Sequence, residues 1–190
     1  MPIPLGILAV AGAGAAGGAS SFDLLETTVL SSAASSVTFS SLGSYSDYKH
    51  LQLRISTRTD RSGNLSAPTM RLNSDTGSNY AYHLLRGSGS SVLSEGYSSQ
   101  SSINIPSNSS DYMTANVFSA AVIDILDFSS SSKKTTIRVL GGNPDSNYWN
   151  IALQSGLWNN TAAVTSIILE PGFGASNWKA SSRFSLYGVK

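Results

Sequence analysis

The chain contains no cysteine, which excludes disulfides, thiolate metal sites and thiol nucleophiles and leaves the redox compartment open. Charge is also scarce. Asp, Glu, Lys and Arg make up 12% of the 190 residues, against roughly 25% in an ordinary soluble domain. Net charge is +1 and the longest basic run is Lys133-Lys134, so the clustered basic face that nucleic-acid binding requires is missing. A surface this close to neutral does not repel its own copies, which permits close self-association. A helical period is missing too: no segment after residue 18 repeats its apolar residues with a spacing of 3.6.

Serine takes the place of charge, with 38 copies, helped by Thr, Asn and 17 Gly. These residues serve strands, turns and local side-chain to backbone bonds better than helix interiors. In YKHLQLRIS, Leu51, Leu53 and Ile55 alternate with His50, Gln52 and Arg54, a period of two. Ile137 and Val139 flank Arg138 in the same way, and Phe184 and Leu186 share one face of RFSLYGV. Further strands are expected at 22–30, 37–39, 69–72, 80–85, 117–128, 148–153 and 164–169. The turn segments between them are Asn73–Asn79, Gly141–Asp145 and Glu170–Gly174, where Gly, Pro and Asx supply the special backbone angles. Residues 87–110 are polar and low in complexity and read as a long exposed loop with short strands. About ten short strands at this spacing predict an all-β fold, an antiparallel β-sandwich or jelly roll, as a single domain over residues 22–190.

Residues 1–21 read as an apolar N-terminal arm. A secretory signal peptide would need a positive start, and the first Lys or Arg is Lys49. A membrane span takes about 20 apolar residues, and IPLGILAVAGAGAAGG is shorter and glycine-rich. Exposing Ile3, Leu5, Ile7, Leu8 and Val10 would forfeit roughly 1.5–3 kcal/mol for each side chain. The expectation is therefore an arm docked on a neighbouring subunit or another protein, with these five residues as its anchors.

The chemistry that remains is thin. His50 and His83 lie on strand candidates far apart, and no G-x-S-x-G elbow accompanies the many serines. The closest carboxylate pairs, Asp23 with Glu26 and Asp124 with Asp127, are offset by three positions; a regular strand would put the partners on opposite faces. No catalytic residues, cofactor or metal site are expected. The oxygen-rich loop Asn73–Asn79 superficially resembles a calcium loop. It offers one carboxylate, Asp75, and lacks the later Glu, so an Asx-stabilised turn is the better reading. Each tryptophan has asparagine beside it, in Tyr148-Trp149-Asn150, Trp158-Asn159-Asn160 and Asn177-Trp178. An aromatic face flanked by amides suits a sugar, so Trp149, Trp158 and Trp178 are glycan-binding candidates; the competing reading packs them at sheet edges.

Several stretches, FDLLETTVLSSAASSVTFSSL, YKHLQLRISTRT, LNSDTGSNYAYHLLRG and SSRFSLYGVK, together with the apolar start MPIPLGILA, resemble small virion proteins of tailed bacteriophages. The likeness covers nearly the whole chain, and similar closing segments end phage tail-fibre proteins. The resemblance implies a non-enzymatic, multi-copy structural protein of the virion, a capsid-decorating, cementing or tail-attached subunit. Its partners would be copies of itself and other virion proteins, with neither nucleic acid nor a membrane span involved. The alternative it allows is a tail-fibre adhesin domain that binds a host-surface glycan.

Overall fold

The computed structural model describes residues 21–63, 66–106, 110–145, 150–173, 175 and 177–190; the arm residues Ile3, Leu5, Ile7, Leu8 and Val10 lie outside the described residues. Among the described residues, two antiparallel sheets pack face to face as a β-sandwich. The large sheet contains β1 (Phe22–Val29), β12 (Arg183–Val189), β3 (His50–Thr57), β8 (Ser119–Leu126), β9 (Thr135–Asn143), β10 (Asn150–Trp158), β5 (Tyr80–Ser88) and β6 (Ser91–Gln100), in that spatial order. The small sheet runs β2 (Val37–Phe39), β11 (Ile167–Glu170), β4 (Thr69–Leu72), β7 (Ile103–Asn104). A short 3-10 turn at Leu42–Tyr45 is the one helical element among them.

Period-two patterning decides which residues enter the core. Leu51, Leu53 and Ile55, Ile137 and Val139, and Phe184 and Leu186 are all buried, as their alternation requires. They meet Val37, Phe39, Met70, Leu72, Ile167 and Leu169 from the small sheet. Three of the turn segments behave differently from one another. Asn73–Asn79 does not close a hairpin; it carries the chain from β4 in the small sheet to β5 in the large one. Asn73, in the left-handed region at φ 51°, accepts from the Thr165 and Ser166 amides at 2.7 and 3.1 Å. Residues 170–173 do turn, Gly174 lying outside the described residues, with Gly172 at φ +77° and so near the Ala67 carbonyl that no Cβ would fit.

Gly141–Asn143, by contrast, continues β9 as strand. A Cβ on Gly141 would stand 2.6 Å from the Pro106 carbonyl oxygen, and one on Gly142 2.6 Å from that of Asn150. Glycine is there for close backbone approach, not for turning. The expected long loop at 87–110 also holds a ten-residue strand, β6, paired with β5 from Ser91↔Ser88 to Gln100↔Tyr80. At a sheet edge, main-chain pairing alone can hold a strand, so serine suffices where a core strand would need apolar residues.

Candidate functional site

The outward face of the large sheet departs from the polar surface expected of a solvated sheet. Strand register places Val122 beside Leu140, Leu140 beside Leu153 and Leu153 beside Leu85. The neighbouring row runs Ala120, Gly142, Ile151, Gly87, Val92. Ile151 is 62% exposed and Leu153 57%, so these side chains stand in solvent rather than in the core. Because Ala120 and Gly142 are small, the second row sinks into a groove of about 540 Å³ walled by Phe118, Val122, Leu140, Pro144 and Ile151. A cross-strand row of four aliphatics on an exposed face is the arrangement that marks a contact surface.

Arg54 joins this band to the β1 edge. Its guanidinium lies over the Tyr187 ring at 4.3 Å and the Phe22 ring at 5.2 Å, and its Nε donates to Gln52 Oε1 at 2.8 Å. The charge is thus spread over aromatic faces and an amide, which lowers the cost of covering it. On the far side of the aliphatic row a polar row borders the band. There Gln52 Nε2 donates to Asp124 Oδ1 at 2.8 Å and Arg138 pairs with Asp124 at 3.2 Å. His83 covers Gly96 in the same row, 2.7 Å from where a Cβ would stand.

Two of the three candidate tryptophans are inside the protein. Trp158 is 1% exposed and Trp178 0%, so neither ring can receive a sugar face. The Trp158 indole N–H donates to Asp75 Oδ2 at 2.7 Å. Trp178 packs edge-on against Phe184 with centroids 5.2 Å apart and bridges Ala34 and Thr59 through its backbone. Trp149 lies outside the described residues. Two of the asparagines that suggested a glycan site are engaged within the fold: Asn160 Oδ1 accepts from the Ala162 amide at 2.9 Å and Asn177 Nδ2 donates to Asp60 at 2.9 Å.

The other polar candidates are equally occupied. Asp75 accepts from the Gly77 amide, from Asn79 Nδ2 and from Trp158, which is the Asx turn. The Trp158 indole, then Asn79 and Gly77, hold its carboxyl below the ordinary carboxylate value against the opposing effect of burial. Asp127 is lowered in the same sense, first by Lys133. Asp127's own backbone N–H donates to His50 Nδ1 at 2.8 Å, which puts the neutral ring's proton on Nε2. His50 on β3 and His83 on β5 are separated by β8, β9 and β10, so the fold does not unite them. Burial pushes the Tyr80 and Tyr82 hydroxyls up to about 12.

One expectation about carboxylates is corrected. A β-bulge between Leu24 and Glu26 flips the strand's parity, so Asp23 opposite Gly188 and Glu26 opposite Leu186 share one side of the sheet. Asp23 is taken up structurally, accepting from the Tyr48 hydroxyl at 3.0 Å with Lys190 Nζ 3.5 Å away. Among the described residues no three His, Asp or Glu side chains group as metal ligands, and no helix is long and apolar enough to cross a membrane. No protein-family model matches the chain, and no curated protein matches it in sequence.

Proposed function

We propose that this chain is a non-enzymatic structural subunit of a tailed-phage virion, present in many copies and anchored through its apolar arm. The observation that carries the proposal is the aliphatic band on the outer face of the large sheet, Val122–Leu140–Leu153–Leu85 with Ile151 beside it. A folded domain that keeps such a row in solvent loses roughly 1.5–3 kcal/mol per large side chain until something covers it. The low charge, net +1, lets like copies approach, and the resemblance of the quoted segments to phage virion proteins supports the setting.

The test removes the arm and the band separately. Deleting residues 1–18 should leave a cooperatively folding domain that no longer joins particles. Leu153→Glu, at an exposed position, should change stability by no more than about 0.5 kcal/mol and abolish self-association in sedimentation. Normal incorporation of both variants into particles would overturn the proposal.

A further inference from the structure

The two sheets differ in width, eight strands against four, so the inner face of the large sheet is not covered throughout. The small sheet ends at β7, which reaches the start of β5, where Tyr80 and Tyr82 are buried; the rest of β5 and β6 project as an overhang at the edge of the large sheet. On its underside Tyr82 faces Tyr97, Leu84 faces Glu95 and Arg86 faces Leu93 across β5–β6, with Gln154 of β10 beside Leu84. Tyr82, Tyr97, Arg86, Glu95, Gln154 and Asn104 line a recess of about 130 Å³.

Two polar atoms lining it have no partner. Gln154 is 2% exposed; its Nε2 donates to the Asn104 carbonyl at 2.9 Å, but its Oε1 accepts nothing. The Nε of Arg86, also enclosed, donates to nothing. An unmatched acceptor and an unmatched donor in one recess are costly to fold around. They are matched by a molecule that can both donate and accept. Arg86 and Glu95 lie 3.9 Å apart and offset each other's charge, which argues against a phosphate, a carboxylate or an ammonium group as the occupant. Tyr97 packs on the buried Tyr82 ring, with centroids 4.9 Å apart and planes tilted by 31°, and adds an apolar face; Tyr97 and Leu93 are open to solvent.

A hydroxyl is donor and acceptor at once, and a sugar ring presents several of them around an apolar face that aromatic rings can cover. With about 30 Å³ to a water molecule, the recess of about 130 Å³ takes the volume of about four waters, enough for the hydroxyl-bearing edge of one ring whose remainder lies in the opening beside Tyr97 and Leu93. We propose that the recess under the β5–β6 overhang binds a single neutral monosaccharide unit, its ring against Tyr97 and its hydroxyls on Gln154 Oε1 and Arg86 Nε. The site lies on the opposite face of the large sheet from the aliphatic band and does not depend on the assembly role.

The full chain would be titrated with the methyl glycosides of glucose, galactose, mannose and N-acetylglucosamine, followed by calorimetry and saturation-transfer NMR. At least one should bind, with the Tyr97 ring in contact. Tyr97→Ala and Glu95→Gln, both at accessible positions, should weaken that binding about tenfold or more, a difference of about 1.4 kcal/mol, with an unchanged unfolding midpoint. Gln154→Leu should abolish it. No binding up to tens of millimolar, or undiminished binding in the variants, would overturn the proposal. So would a crystal structure in which ordered waters satisfy Gln154 Oε1 and Arg86 Nε and no glycoside displaces them. Tyr97→Ala should still enter particles and the arm-deleted chain should still bind the sugar, so either reading can fail alone.

Discussion

Arg58 offers the sharpest test of how the outer face is held in shape. It is 5% exposed and spends its guanidinium on main-chain carbonyls. One Nη donates to Thr114 at 2.7 Å and Val117 at 2.9 Å, and the other to Met113 at 3.0 Å, while Nε reaches Asp111 at 3.4 Å. These bonds pin residues 111–117, which lead into Phe118 and the groove. A hydrogen bond from a charged donor nets roughly 1.5–3 kcal/mol. Three such bonds overstate the loss, because Thr114 is exposed and its freed carbonyl regains water, while that of the buried Met113 does not. Arg58→Ala should therefore cost about 3–5 kcal/mol, the scale of breaking a buried charged cluster. That is at least about a fifth of the stability of a typical domain, about 5–15 kcal/mol. Arg58→Lys keeps the charge but not the planar fork, and should recover about half. The assay is urea unfolding at constant m. A loss below about 1 kcal/mol in the alanine variant, or lysine performing as well as arginine, would refute the clamp.

Two further outcomes follow from the geometry. Asp75 and Asp127 are both held below the ordinary carboxylate value. Their stabilisation is thus present above about pH 4 and is lost as pH falls through that value towards the lower folded ones. Unfolding midpoints measured on acidification should fall in that window, and Asp75→Asn should flatten part of the drop. Gly188→Ala would place a Cβ 2.4 Å from the Tyr48 ring, which its hydrogen bond to Asp23 holds in place; overpacking of this kind costs about 1–3 kcal/mol. Gly43→Ala, with nothing within 4 Å, is the matched control and should stay within about 0.5 kcal/mol of wild type by thermal melting.

How much of this could be read beforehand depends on which side of a strand carried the apolar residues. In β3, β9 and β12 the alternation marks the core face, and the expected faces are the buried ones. In β10 the pattern is inverted. Ile151 and Leu153 point outward while Gln154 and Gly156 point inward with Trp158, so an alternation rule alone would choose the wrong face. The aliphatic band is legible only when register brings Val122, Leu140, Leu153 and Leu85 into one row. Asparagine next to tryptophan says what a residue could bind but not how deep it lies, and Trp158 and Trp178 lie in the core. The bulge in β1 and the serine strand β6 leave no compositional trace, since main-chain pairing with their neighbours produces both.

The place of β12 has a consequence for how the molecule comes to exist. Arg183–Val189 lies between β1 and β3, so β1 gains its paired strand only once β12 is made. A nascent chain that has not yet delivered Arg183 leaves β1 unpaired and the β3 flank open, with Leu51, Leu53 and Ile55 short of Phe184 and Leu186. Pairings this distant close slowly, because loop entropy must be overcome before any contact rewards it. Completion of the sheet is therefore a late event, which waits for synthesis of Arg183–Val189. A prematurely terminated copy would expose a flank that folding never seals, and it would enter aggregation or degradation rather than an ordered array.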